Sequence, residues 1–274
     1  MNILNKFDLT NNLAVITGGA GLLGKSFIAA LIEVNCHVIV LDINVENINN
    51  AKKNFHDSEY KNSITFLKID ITKEGEIKKS LKVIKEKFGK TPDILINNAS
   101  VDSKISSIKN NRLEFFNINQ WDKEMNVGLK GAFICSKYFG QEMAKNKKGN
   151  IINIASDLGI IAPNQNIYKN KNSSKNKQNV KPVTYSVVKH GIIGLTKYIA
   201  TYWAEEGVRC NALAPGGVYD NQPHSFTKKL KELIPMKRMA DLNEYQATII
   251  YLCSDASSYM NGAIINIDGG RTAW

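Results

Sequence analysis

Short apolar runs alternate along this chain with longer stretches whose apolar positions recur at helical spacing. Runs of four to eight aliphatic and β-branched residues bounded by polar ones are strand-sized. Seven such segments predict strands: Leu13–Thr17, His37–Leu41, Ile64–Ile69, Asp93–Asn97, Asn150–Ala155, Val208–Leu213 and Ile264–Asp268. Between them, Leu22–Val34, Glu74–Phe88, Trp121–Lys145 and Thr184–Glu205 carry the amphipathic period of helices. Strands apolar on both sides must be covered on both sides, so the alternation predicts a doubly wound α/β fold: a seven-stranded parallel sheet between helices. No composition break divides residues 1–274, and one domain is expected. Two stretches interrupt the pattern. Residues 101–119 are polar, and residues 163–182 form a Lys/Asn/Ser segment without periodicity; loops of this length are usually functional or disordered.

Composition narrows the classes. With 274 residues, 43% apolar and 22% charged, the chain can bury a large core, which excludes disorder as its main state. The longest apolar runs, such as Leu13–Ile16 and Val38–Leu41, fall far short of the roughly 18 residues that a membrane span needs. No basic segment precedes an apolar one in the manner of a secretion signal, so a cytoplasmic location is expected. Cys36, Cys135, Cys210 and Cys253 sit singly in apolar segments, without disulfide or zinc spacing, and read as reduced core residues. The four histidines share no ligand spacing either, and no metal is expected. The net charge of +11 raises nucleic-acid binding, but only four of the 36 basic residues are arginines and asparagine occurs 32 times. That joint Lys/Asn excess reads as a compositional habit, and an anionic small-molecule substrate makes better use of the charge than a duplex does.

The chemistry starts where the first strand ends. Thr17-Gly18-Gly19-Ala20-Gly21-Leu22-Leu23-Gly24 runs from a strand directly into a helix. Glycines there allow a tight turn and close approach to a pyrophosphate, which the helix N-terminus favours, as in Rossmann-type dinucleotide sites. Asp42 ends the next strand, where a carboxylate accepts from both adenosine ribose hydroxyls and repels a 2′-phosphate; Ile43, not arginine, follows it. NAD is therefore expected over NADP. Asp70, with the Ile71 backbone, is placed either to bond the adenine edge or to cap the helix behind it. Asn98 and Ala99 end the fourth strand beside the same crevice.

Tyr185 and Lys189 lie one turn apart on one face of a helix. A nearby ammonium favours the phenolate, so Tyr185 can take a proton from an alcohol as hydride leaves, or return it. Lys189 can also bond the nicotinamide ribose. Ser156, ending the fifth strand, is placed to bond the reacting oxygen. Asn126, an amide in a packing stretch, can either hold a water against Lys189 as part of a proton relay or simply bond backbone inside its helix.

These pieces, with Arg209-Cys210-Asn211-Ala212, Pro215-Gly216-Gly217 and the late Asp268-Gly269-Gly270, together resemble the short-chain dehydrogenase/reductase family, in order and over nearly the whole chain. The resemblance implies that Asn126, Ser156, Tyr185 and Lys189 form a catalytic tetrad. It also implies that Pro215, Gly216 and Val218 cradle the nicotinamide carboxamide, and that the protein is a homodimer or homotetramer built through the helices at 121–145 and 184–205. The glycines at 18, 21 and 24 look like those of the family's extended branch, and Asp220 stands where a threonine is common. Ser156 and Tyr185 are 29 residues apart, more than twice the usual family separation, so the segment at 163–182 must loop out over the substrate side.

That insertion carries Lys169, Lys171, Lys175, Lys177 and Lys181 without one acid, which suits either a phosphate- or carboxylate-bearing substrate or a plain solvated loop. A variable lid is expected at 219–240, and Asp157, Tyr168, Gly217 and Tyr219 are candidate substrate contacts. Ala155–Pro163, Lys181–Lys189 and the ending Asp268–Trp274 look, more narrowly, like bacterial oxidoreductases of flagellin-modification and nonulosonic acid pathways. That resemblance implies a phosphorylated or nucleotide-linked amino sugar. The alternatives are an NAD-retaining sugar epimerase or dehydratase and, in a different class, an inactive NAD-binding scaffold.

Overall fold

A computed structural model describes residues 2–56, 61–101, 111–169, 174 and 178–274. Seven strands, β1 (Leu13–Thr17), β2 (His37–Asp42), β3 (Ile64–Lys68), β4 (Ile94–Asn97), β5 (Gly149–Ile154), β6 (Val208–Pro215) and β7 (Ile264–Ile267), form one sheet in the order β3-β2-β1-β4-β5-β6-β7. Every pair is parallel. Chain order reverses between β1 and β4, and ligands of such sheets bind in the crevice at the strands' carboxyl ends near that point. The helices are α1 (Leu22–Glu33), α2 (Val45–His56), α3 (Glu74–Phe88), α4 (Ile118–Met125), α5 (Ala132–Lys145), α6 (Val183–Tyr202), α7 (His224–Glu232) and α8 (Gln246–Cys253).

The two-residue period of the strands divides the core. Ala14 and Ile16 of β1 pack with Phe27, Ile28 and Leu31 of α1 and Ile249 and Leu252 of α8. Leu13 and Val15 point the other way, toward Ile77 and Ile84 of α3, Phe139 and Met143 of α5 and Ile199 of α6. Burying both faces explains why these strands read as continuous apolar runs. All four cysteines are buried, and burial pushes the Cys36 thiol up to about 12. Trp203 packs on Gly140, joining the long helices as its place in the sequence suggests.

Where the apolar period predicts one helix over 121–145, three pieces stand end to end. Asn117 caps the first by accepting from the Asn119 and Gln120 amides, and a π turn (Asn126–Gly131) separates α4 from α5. Gly128 and Gly131 are buried there because a Cβ would lie 2.5 Å from the Val188 side chain and 2.6 Å from that of Ile71. The mainly polar α2 and α7 and the short α8 were not among the helices expected from the sequence. A small fourth cluster lies apart from the main core: Ile167 from the insertion packs with Leu230, Ile234 and Met239, flanked by Tyr168 and Phe226. Lys171, Lys175 and Lys177 lie outside the described residues. No helix among the described residues is long and apolar enough to cross a membrane.

Candidate active site

A cleft of about 720 Å³ runs along the carboxyl ends of the strands. At one end the β1–α1 turn is tied to β4. The Thr17 hydroxyl oxygen accepts from the Asn98 and Ala99 amides at 3.1 Å, and the Asn98 side-chain amide donates to the Thr17 and Gly18 carbonyls. Gly18 has φ +59, and a Cβ on it would sit 2.8 Å from the Ala99 Cα. Gly24 lies behind the turn, where a Cβ would fall 2.5 Å from the Gly19 backbone. Gly21 starts α1 without a capping side chain, leaving the first amides of that helix turned to the cleft that Gly21, Leu22 and Leu23 line. These are the requirements of a dinucleotide site, and the residues present fit one.

Asp42 is buried at the cleft wall, its carboxylate accepting from the Ala20 amide at 3.1 Å and the Asn44 amide at 2.9 Å. Ile43, Asn44 and Asn47 continue that wall. Asp70 and Ile71 line the cleft too. Asp70 is not the helix cap, a position that falls to Lys73; it forms a local turn by accepting from the Thr72 amide and hydroxyl. Burial works to raise the Asp70 pKa, but the Thr72 hydrogen bonds and the Lys73 ammonium prevail and hold it below the ordinary carboxylate value.

Farther along, Tyr185 stands in the first turn of α6 and Lys189 in the next. Lys189 is buried, donates from Nζ to the Ile154 carbonyl at 2.8 Å, and lies 5.8 Å from the centre of the Tyr185 ring. The buried hydroxyl of Ser156 donates to Asp157 at 2.8 Å and accepts from the Leu158 amide. Pro215, Gly216, Gly217 and Val218 form the opposite wall. The buried Tyr245 supports that wall by donating to the Gly216 carbonyl at 3.3 Å, and burial together with the Asp157 charge pushes its phenol up. The Thr184 hydroxyl donates to the buried Glu124 carboxylate, which fixes α6 against α4.

A phenol, an ammonium and a serine hydroxyl thus share one cleft with a glycine turn and an acidic strand end. The family model described as enoyl-(acyl carrier protein) reductase matches residues 21–272. The chain is a short-chain dehydrogenase/reductase. It is 30% identical to an NAD-dependent glycerol dehydrogenase of Listeria innocua, over 97% of this chain and 96% of that one. It is 27% identical to the post-translational flagellin modification protein A of Campylobacter coli, over 96% and 98%. A solved short-chain dehydrogenase of Leptospira borgpetersenii with bound NAD+ superimposes with a TM-score of 0.82 at 29% identity, over 98% and 95%. The family uses nicotinamide cofactors on small-molecule substrates.

Two of the expected catalytic and substrate residues do not line the cleft. Asn126 is exposed at the start of the π turn and does not line the cleft; Lys123 and Val127 do, one turn apart. Within the π turn Gly128 is the buried residue, packed against Val188. Tyr219 is 52% exposed and also lies off the cleft, while Asp220 and Gln222 beyond it line it. Tyr168 does reach the cleft, with its ring 5.6 Å from that of Phe226.

Two basic residues stand out at the substrate end of the cleft, one from the insertion and one to which the sequence assigned no role. Lys181 places its ammonium 3.8 Å from the Tyr185 ring centre, so the insertion delivers at least one of its lysines to the site. Arg271, buried after β7, forms an ion pair with Asp157 at 2.6 Å and lines the cleft. Its one sequence signal is an arginine, rare in this chain, directly after Gly269-Gly270.

Proposed function

We propose that the protein is an NAD(H)-dependent oxidoreductase that moves hydride between the nicotinamide and a hydroxyl or carbonyl of a sugar. The reading rests on one observation: Tyr185, Lys189 and Ser156 line the cleft that also contains the glycine turn and Asp42. Gly18, Gly21, Leu22, Leu23, Asp42, Ile43, Asp70, Ile71, Asn98, Ala99 and the Pro215–Val218 wall would hold the cofactor, with Thr17 and Gly24 shaping the turn from behind. A nicotinamide nucleotide, when bound, supplies the hydride acceptor or donor. Tyr185 takes the hydroxyl proton as the C–H electron pair leaves, and returns it in reduction. The Lys189 ammonium, anchored on the Ile154 carbonyl, favours the phenolate in that step. Ser156 turns its hydroxyl from Asp157 to the reacting oxygen. NAD is favoured over NADP because a 2′-phosphate would meet the Asp42 carboxylate beside Ile43, Asn44 and Asn47, with no arginine among them.

The likeness to the flagellin modification protein and the lysine-bearing insertion support a phosphorylated or nucleotide-linked amino sugar of a bacterial surface-glycan or flagellin-modification route. Exposed Phe133 on α5 and Tyr198 and Tyr202 on α6 support a homodimer or homotetramer joined through these helices. The dehydratase alternative needs a further acid near Tyr185, and Asp157 is tied to Arg271 and Ser156.

The test is absorbance at 340 nm with NAD+ or NADP+ and a panel of sugar phosphates and nucleotide-activated amino sugars, beside Tyr185→Phe. NADH formation with a sugar is expected, together with a loss of about 10²–10⁴-fold in kcat in the variant at unchanged Tm. A silent panel, with tightly held NAD released on denaturation and products of altered stereochemistry, would establish the epimerase instead.

A further inference from the structure

We propose that Arg271 selects the substrate: its guanidinium, held from behind by Asp157, presents donors to an oxyanion, carboxylate or phosphate, carried by the substrate close to the reacting carbon. This assignment builds on the sugar oxidoreductase reading of the same cleft.

Arg271 is 5% exposed, and taking a guanidinium that far from water is costly unless its donors are used. It has five N–H donors, yet among the described residues its side chain makes one hydrogen bond, from NH1 to Asp157 Oδ2 at 2.6 Å. None of its nitrogens is sealed off without a partner, and the residue lines the cleft. The small area it exposes is therefore cleft area, and the remaining donors are turned to where a ligand sits. A purely structural arginine would spend those donors on protein carbonyls, as Arg209 does on Met260 and Ser254.

The pairing with Asp157 fixes this orientation. Asp157 Oδ1 accepts from the Ser156 hydroxyl and the Leu158 amide while Oδ2 holds Arg271, so the carboxylate is saturated from the protein side. Asp157 thus stands between Ser156, its neighbour in the chain, and the guanidinium. With Oδ1 still held by the Leu158 amide after the Ser156 hydroxyl turns to the substrate, it keeps Arg271 at a fixed distance from the reacting atom. Charge balance agrees. Once Asp42 and Asp70 at the nucleotide end are set aside, the cleft wall carries Lys123, Lys181, Lys189 and Arg271 against Asp157 and Asp220, an excess of two positive charges. Tyr168, Phe226, Leu230 and Met239 supply apolar wall beside these charges, and exclusion of water strengthens an ionic contact there. A planar fork matches a carboxylate or phosphate in two parallel bonds, which a lysine cannot reproduce.

The experiment measures binding by calorimetry to enzyme saturated with NADH, using matched ligands: D-gluconate against D-glucitol, and glucose 6-phosphate against glucose. Wild type, Arg271→Lys and the charge-balanced double variant Asp157→Asn/Arg271→Gln are compared, because loss of Arg271 alone would leave Asp157 buried and unpaired. Wild type is expected to bind one acidic member at least about tenfold more tightly than its neutral partner, and that ratio is expected to fall about tenfold in both variants while the Kd for NADH stays unchanged. A preference confined to gluconate assigns the oxyanion as carboxylate, and one confined to glucose 6-phosphate as phosphate. Equal binding of acid and neutral partner, or a ratio that Arg271→Lys leaves in place, overturns the proposal. Turnover at 340 nm separates it from the reading beneath it. Neutral sugars oxidised without regard to residue 271 would sink the oxyanion and keep the sugar. Non-sugar hydroxy acids oxidised in an Arg271-dependent way would do the reverse.

Discussion

At the nucleotide end of the cleft the working parts are backbone: the turn at Gly18, the first amides of α1, and carbonyls of β1 tied to β4 through Asn98. Around Tyr185 the working parts are side chains drawn from positions 156, 157, 168, 181, 226 and 271, five of them outside the strands and α-helices. The first end leaves no room for a Cβ at Gly18 or Gly24 and is continuous with the main core. The second is walled by a small separate cluster around Leu230 and Ile234. A site assembled in this way can hold its cofactor geometry fixed while its substrate wall is rebuilt, since the two halves draw on different cores.

That contrast fails or holds on three further measurements. The largest effect is expected from Gly24→Ala. The new Cβ would fall 2.5 Å from the Gly19 backbone, which cannot swing aside, so a loss of about 3 kcal/mol in urea unfolding and a weaker Kd for NADH by fluorescence are expected. An unchanged midpoint would mean that the turn is softer than its contacts imply. Ile234→Ala tests the other half. Truncating this buried side chain is expected to remove about 2 kcal/mol and raise KM for substrate while leaving the Kd for NADH alone. A matching loss of NADH affinity would show that the two ends share one core after all.

The smallest effect near neutral pH concerns the thiols. Cys36 and Cys253 are buried in the core on one face of the sheet and Cys135 and Cys210 in the core on the other, and the cluster around Ile234 contains none. A thiol reagent at pH 8 is expected to label none of the four in native protein, and to stay silent in mild urea even if the substrate wall loosens first. Labelling that tracks loss of substrate binding would break the separation. The alkaline limb follows from the same burial. Cys36 has its pKa raised from 9.0 to about 12, so its contribution is complete below about pH 9 and is lost as pH rises toward 12, while the unfolded chain gives up its proton earlier. Tm is expected to decline over that window.

The sheet was legible because strands buried on both faces leave apolar runs no loop can imitate, and because helices such as α3 and α6 have length enough to show a period. Gly18 and Asp42 were legible for a related reason: a backbone requirement confines the residue choice at a fixed place between strand and helix. The helices α2, α7 and α8 were not, being short and, in α2 and α7, mostly polar, so that few apolar positions mark their buried face. Asn126 was read on the assumption of an unbroken helix. The π turn that interrupts it packs Gly128 on Val188 and Gly131 on Ile71, contacts between segments far apart in sequence that leave no local trace. Arg271 escaped for the same reason, since only the folded chain brings it to Asp157, 114 positions away.

The π turn at Asn126–Gly131 carries one more lesson, about arithmetic along a helix. A single surplus residue advances everything after it by about 100° around the axis. The segments on either side are keyed to different partners, Lys123 before the turn to the cleft and Phe139 and Met143 after it to the core beneath the sheet, with the surplus residue as the phase adjustment between them. Insertions and deletions are usually tolerated in loops, but here the count inside a helix is itself a functional setting. Shortening 126–131 by one residue would keep every side chain outside the turn and rotate one of the two faces out of its place.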